Sequence, residues 1–225
     1  MQEMFRRRNL PHWDVPGAIY FITVCLEGSI PAQGLLDIAK YRDALSKRAR
    51  PSSMNESEWK AHRWKLAFAR SEEWLDDRSG VRHLAVESLS QIVADTLYFF
   101  AGQRYDIIAY VVMPSHFHWV FTPRREYETS LPSGKSAREA IMHSINRYSA
   151  RRCNERLGLG GAYWQHESYD DCVADEDELE RIVNYVELNP VKARLVKSRE
   201  LWKFSSAFDR EKWAIPMGHP LVKFS

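Results

Sequence analysis

Two histidines one residue apart, His116 and His118, stand in the run His116-Phe-His-Trp-Val-Phe121, whose aromatic and β-branched residues favour a strand. Side chains two positions apart on a strand point the same way, so the pair can direct two imidazole nitrogens at one metal ion. Tyr148 follows about thirty positions later in a basic helical stretch. A tyrosine brought beside a bound cation is a candidate nucleophile toward phosphate. Its free phenol has a pKa of about 10, so such use requires nearby positive charge or metal to favour the phenolate.

The histidine pair alone carries little weight: eight histidines in 225 residues give roughly 0.3 chance occurrences of this spacing. Alternation assigns Phe117, Trp119 and Phe121 to one face, the natural core side, and His116, His118 and Val120 to the other, toward something polar. The ordinary alternative is a histidine pair on an open, solvated sheet face. Tyr148 extends a helical stripe through Ala137, Ile141, Ser144 and Ile145, which turns it inward, where an aromatic ordinarily packs in the core. Arg147, Arg151 and Arg152 beside it suit either charging the phenol or binding phosphate.

The elements that would position these groups are legible. Residues 18–26 read as a buried strand, and 105–113 and 116–121 as antiparallel neighbours joined by a short break at Pro114-Ser115. A helix from Asp37 as N-cap to about Lys47 and helices over 56–77 and 85–101 follow from charge and periodicity. Residues 124–135 read as a loop. Ser136 caps a helix with Glu139 as its capping-box partner, and Gly158 ends that helix after Leu157. An acidic turn at 175–178 opens a last helix through Leu179, Ile182, Val183 and Val186, with Asn189-Pro190 stopping it. Strand, helix, strand, strand, helix favours an α+β layer of helices on an antiparallel sheet.

Composition is ordinary for a globular chain, at 44% apolar and 28% charged residues. The net charge of +2 does not announce nucleic acid, but the charges are uneven. Basic groups gather at Arg6, Arg7 and Arg8, at Lys47, Arg48 and Arg50, around Arg147 to Arg156, and from Lys192 to Lys203. An acidic stretch runs from Glu167 to Glu180. Basic clusters on one face would neutralise several phosphates; solvated helix faces are the plainer reading of any single cluster. Cys25, Cys153 and Cys172 lie far apart, which suggests neither a disulfide framework nor a thiolate zinc site. No apolar run reaches the roughly 18 residues of a membrane span, and the expected location is cytoplasmic, nucleoid-associated when bound to DNA.

Five segments resemble the single-tyrosine insertion-sequence transposases of the HUH endonuclease class, particularly the REP-associated tyrosine transposases. They are Tyr20-Phe-Ile-Thr23, Tyr110-Val-Val-Met-Pro-Ser-His-Phe-His-Trp119, Arg147-Tyr-Ser-Ala150, Tyr163-Trp-Gln-His166 and Tyr185-Val-Glu-Leu-Asn-Pro-Val-Lys-Ala193. The resemblance spans about residues 6–207. It implies a ferredoxin-like (RRM-like) core, with His116 and His118 holding Mg²⁺ or Mn²⁺ and Tyr148 attacking a DNA phosphodiester. The product implied is a 5′-phosphotyrosine with a free 3′-OH. In related enzymes an amide-bearing third ligand lies one helical turn after the tyrosine; that position here is Arg152, with Glu155 and Asn154 as the nearby options.

The resemblance further implies a partner of single-stranded or hairpin DNA, with REP-like palindromes, and a monomer or homodimer. Arg6, Arg7, Arg8, Arg147, Arg151, Arg152 and Trp164 are the candidate DNA contacts, with Trp13, Trp119 and Tyr163 as further aromatics for which core packing is the alternative. A single domain is expected over 1–225, with a basic arm at about 1–16 and a C-terminal helical extension at about 175–225. Two other readings stand beside this one. One is a non-catalytic RRM-like nucleic-acid-binding protein, and the other a metal hydrolase using the histidines with a carboxylate from the 167–171 stretch and water as nucleophile.

Overall fold

The computed structural model describes residues 4–7, 11–77, 79–166 and 168–213. A two-stranded antiparallel ribbon, β1 (Met4–Arg7) and β2 (Pro11–Asp14), forms within the expected basic arm. The central sheet follows from the apolar runs: β3 (Tyr20–Cys25), β4 (Tyr105–Val112) and β5 (His116–Pro123), closed at one edge by β6 (Tyr169–Cys172). Its order is β4-β5-β3-β6, antiparallel throughout, with a register shift between Ile107 and Ala109. The chain order strand–helices–strand–strand–helix–strand on that sheet is the ferredoxin-like arrangement, so the expected α+β class holds.

Both sheet faces are covered, by different helices. Phe117, Trp119 and Phe121 pack with Tyr20, Ile22 and Val24 against α3 (Glu87–Phe99) and α5 (Ala137–Leu157). Trp119 is fully buried and stacks on Phe121 at 3.9 Å between ring centroids, so the expected core face is correct. On the reverse, Phe21, Val111 and Val120 meet Phe68 of α2 (Glu56–Asp77) and Val183 and Val186 of α6 (Glu176–Lys192). The histidines share this second face with Phe21 and Thr23, because β3 and β5 pair Phe21 with Val120 and Thr23 with His118.

Several expectations need correction. The first helix, α1 (Ala32–Lys47), has its N-cap at Pro31 and not at Asp37. Asp37 lies inside it and its carboxylate accepts from Arg70 Nε at 2.7 Å and Trp74 Nε1 at 3.1 Å, so α1 braces α2. The expected loop at 124–135 contains a short helix, α4 (Arg125–Ser130). Proline does not stop α6, which runs through Pro190 to Lys192. A proline so near the C-terminal end removes only one intrahelical donor, and Ala193 N–H still reaches Asn189 O at 2.9 Å. Nor is α6 the last helix: α7 (Ser206–Trp213) follows, tied back through Arg210 Nε, which donates to the buried Glu187 of α6 at 2.9 Å.

The capping signals around α5 are realised. Ser136 accepts from Glu139 N–H at 3.1 Å, and Gly158 closes the helix with φ of 65°. The inward stripe is Ile141, Ile145, Ser149 and Cys153, spaced four apart. Tyr148 therefore falls off it and is 52% exposed, the reverse of the expected inward placement.

Candidate active site

Strand β5 delivers the histidines as the alternation requires, yet the face they occupy is no open surface: His116 is 1% and His118 0% exposed. Their Nε2 atoms lie 3.1 Å apart. Each Nδ1 has a hydroxyl partner, Ser115 Oγ at 3.0 Å from His116 and Thr23 Oγ1 at 2.8 Å from His118. Ser115 donates its own proton to Leu75 O at 3.3 Å, so its oxygen accepts from His116 Nδ1–H. That tautomer leaves the Nε2 lone pair of His116 facing its neighbour.

Helix α2 places Glu72 over the pair, with Oε2 at 3.2 Å from His118 Nε2. Helix α6 brings two more groups. Asn189 Nδ2 lies 3.1 Å from His118 Nε2, and the Tyr185 hydroxyl donates to Glu72 Oε2. The Tyr185 ring stands 5.4 Å from that of His118 and packs edge-on against Phe21 and Phe68. Lys192 Nζ, two helical turns further on, lies 4.7 Å from the centre of the Tyr185 ring.

Burial sets the electrostatics of the cluster. It pushes His116 well below the ordinary imidazole range, helped by neighbouring His118 and opposed by Glu72, so this ring is neutral. Burial alone would raise the Glu72 carboxyl; the two imidazoles and the Tyr185 hydroxyl outweigh it and hold the group ionised, well below the usual carboxylate range.

The donor set fits a divalent cation. His116, His118 and Glu72 offer ligand atoms all within 4.8 Å of one another. Glu72 Oε1 and Asn189 Oδ1 are buried with no hydrogen-bond partner, a costly state for two acceptors side by side with lone-pair nitrogens. A half-turn of the Asn189 amide exchanges its nitrogen and oxygen and would point the carbonyl at the same centre. Two imidazoles, a carboxylate and an amide oxygen are the mixed nitrogen and oxygen donors that first-row divalent ions accept.

The other sequence candidates lie elsewhere. Tyr148 is on α5, which packs on the opposite sheet face from the histidines. Glu155 is exposed and pairs with Arg152 at 3.1 Å and Arg151 at 3.5 Å, while Asn154 donates to Gly161 O at 3.0 Å; neither approaches the histidine cluster. Those ion pairs occupy two of the three α5 arginines proposed for DNA. Arg147 alone of them is exposed without a partner among the described residues. Trp164 is buried, its ring edge-on to Phe117 and its Nε1 donating to Ser149 Oγ at 3.0 Å. It is a core residue and not a free stacking platform.

Arg6 and Arg7 fall on the β1 backbone, and Arg8 lies outside the described residues, as does Glu167. Of the acidic stretch, Asp170 is on the aromatic face, paired with Arg138, and Asp171 is on the histidine face but outside the cluster.

The sequence reading thus missed Glu72, Tyr185 and Asn189. A signal for two of them was present, since Asn189 follows Tyr185 by one helical turn, the spacing expected of a nucleophile and its amide-bearing ligand. Glu72 gave none.

A four-stranded antiparallel sheet in ferredoxin-like order, with a buried His-x-His on a central strand and a carboxylate closing over it, defines an α+β protein with a candidate metal centre. Comparison with solved structures agrees at the level of fold. The chain resembles a REP-associated tyrosine transposase bound to a REP hairpin, with a TM-score of 0.53, 17% sequence identity, and coverage of 99% of this chain and 96% of that one. No family profile and no curated protein matches the sequence. Among the described residues no helix is long and apolar enough to cross a membrane.

Proposed function

We propose that this protein is a metal-dependent, single-strand-specific DNA endonuclease and strand transferase with Tyr185, in place of Tyr148, as its nucleophile. The observation that carries the reading is the convergence of the Tyr185 hydroxyl, the Glu72 carboxylate and the His116–His118 pair on one buried centre. Fold likeness to a transposase that binds a REP hairpin supports a DNA hairpin as substrate.

His116, His118, Glu72 and the turned amide of Asn189 would hold Mg²⁺ or Mn²⁺, which would supply Lewis acidity to a non-bridging oxygen of the scissile phosphate. The chain's own groups do the rest. Glu72 orients the phenol through its hydrogen bond, and Lys192 stands over the ring, a cation beside the attacking group. Attack forms the bond from phenolic oxygen to phosphorus and breaks the bond from phosphorus to O3′. The proton given up by the phenol is matched by the one the departing 3′ oxygen acquires. A 5′-phosphotyrosine retains the phosphodiester's energy, so the same site can rejoin the strand to another 3′-OH.

The test is an SDS-resistant protein–DNA adduct formed with a hairpin oligonucleotide and Mn²⁺ or Mg²⁺. Tyr185→Phe should abolish it and Tyr148→Phe should leave it. The opposite pattern would return the nucleophile to Tyr148. Binding without any cleavage in the unaltered protein would favour the RRM-like binding module.

A further inference from the structure

Two helices of this protein close in the same way on different residues. At the end of α5, Leu159 N–H reaches Asn154 O at 3.0 Å and Gly158 N–H reaches Glu155 O at 3.4 Å, with Gly158 at φ of 65°. At the end of α6, Leu195 N–H reaches Pro190 O at 2.9 Å and Arg194 N–H reaches Val191 O at 3.0 Å, with Arg194 at φ of 56°. Both are the paired closure that needs one left-handed residue, a position where glycine is unstrained and a Cβ is not. Among the described residues Arg194 is the one residue other than glycine with positive φ. Closure of the helix therefore explains a glycine at 194 and does not explain an arginine.

What the helix end faces does explain it. A cleft of about 870 Å³ between α2 and α6 opens onto Glu72, Tyr185 and Asn189, and Arg194 forms part of its wall. Arg194 is exposed, and its guanidinium has no ion-pair or hydrogen-bond partner among the described residues. The carboxylates of the same wall are engaged elsewhere: Glu178 with Lys65, Glu73 with Arg70, and Glu72 with the histidine centre, while Asp171 interacts with Glu178 and Lys65. Lys192, the other cation at this end of α6, is already placed over the Tyr185 ring. A phosphodiester brought to Tyr185 also comes beside the ionised Glu72, which repels it. A guanidinium in the wall offsets that repulsion, and its planar fork can take both non-bridging oxygens of one phosphate.

We propose that Arg194 binds a phosphate of the cleaved strand, at the scissile linkage or the one next to it, and so fixes which linkage meets Tyr185. Backbone strain at the helix end is retained because the side chain it carries has this use. The inference rests on the strand-cleavage reading above and adds to it the residue that places the linkage.

The experiment measures the contact apart from cleavage. Tyr185→Phe protein in EDTA cannot cut, and its binding to a labelled hairpin oligonucleotide with a single-stranded extension is followed by anisotropy. Adding Arg194→Gly should weaken binding about three- to tenfold and lower the slope of log affinity against log salt by about 0.7. Its Tm should hold or rise, since glycine relieves the left-handed strain. In a series of oligonucleotides each carrying one methylphosphonate, one position should weaken the parent and make no difference to Arg194→Gly. That position should lie within one nucleotide of the linkage that the unaltered protein cuts with Mn²⁺. Equal affinity and slope in the two proteins would overturn the proposal, as would a fall in Tm accompanying the loss, or interference at no position or at one remote from the cut. Interference without any cutting by the unaltered protein would sink the cleavage reading and leave the phosphate contact standing, whereas a parent that binds no DNA overturns both.

Discussion

Tyr185 and Asn189, one turn apart on α6, address the histidine cluster from the same side, the first through Glu72 Oε2 and the second at 3.1 Å from His118 Nε2. They have separable duties. Asn189→Ala removes a proposed ligand and should lower Mn²⁺ affinity about 10- to 100-fold. Tyr185→Phe removes a hydroxyl that donates to the Glu72 carboxylate and is not itself among the candidate ligands, so cation affinity should stay within a few fold while the covalent adduct disappears. Isothermal titration of both variants checks the division; equal loss of affinity in the two would refute it.

The cation should also stabilise the fold, because its ligands come from α2, β5 and α6, which are distant in the chain. Saturation to about 100 times the dissociation constant contributes about 2.7 kcal/mol. For a chain of this size that raises Tm by roughly 5–10 °C. Scanning fluorimetry should show the rise with Mn²⁺, its reversal by EDTA, and no rise in His118→Ala. A Tm indifferent to Mn²⁺ in the unaltered protein would count against the site.

Asp171 gives the protein a pH dependence of known sign. Its carboxyl is pushed up to about 7, first by burial and then by the negative charge of Glu178, with Lys65 pulling the other way. Between the ordinary aspartate range and about 7, the folded chain holds a proton that the unfolded chain has released. Stability therefore falls as pH rises through that window. Asp171→Asn should abolish this fall and gain on the order of 3–4 kcal/mol over the unaltered protein at pH 8 relative to pH 4. Urea denaturation at the two pH values measures it, and parallel profiles would show that the group titrates normally.

How much of this could be read from the sequence depends on the range of the interaction that decides each feature. Strand alternation put His116 and His118 on one face and Trp119 in the core, and the Ser136 and Gly158 caps bounded α5, because these rules act within a few residues. The inward stripe of α5 was misread by one position: Ser149, not Tyr148, follows Ile145 by four, and a serine gives no hydrophobic signal. The centre itself is assembled by long-range packing. Glu72 reaches His118 because Phe68 and Leu75 anchor α2 against the sheet, and nothing in a charged helix marks which glutamate will be the buried one. Tyr185 and Asn189 carried a local signal, an amide one helical turn after a tyrosine, but Tyr148 drew the reading instead, although Arg152 stands one turn after it.

The seat of α2 in turn depends on one residue of α1. A Cβ on Gly34 would lie 2.8 Å from Trp74 Cδ2 and 2.9 Å from Ile30 Cγ2, closer than carbon atoms approach without displacement. Trp74 cannot swing aside freely, for its Nε1 is held by Asp37. Gly34→Ala should therefore part the two helices and cost about 1–3 kcal/mol, although alanine is the better helix former. Because Glu72 lies two residues before Trp74 on α2, the same displacement should draw the carboxylate away from His118 and weaken Mn²⁺ binding. Gly134→Ala, at a loop glycine with nothing within 4 Å, is the control: it should bear only the strain of its left-handed backbone and leave Mn²⁺ affinity unchanged. Denaturant titration paired with Mn²⁺ titration distinguishes the outcomes. Loss of stability in Gly34→Ala with unaltered Mn²⁺ affinity would mean that Glu72 is held in place by the sheet and not by α1.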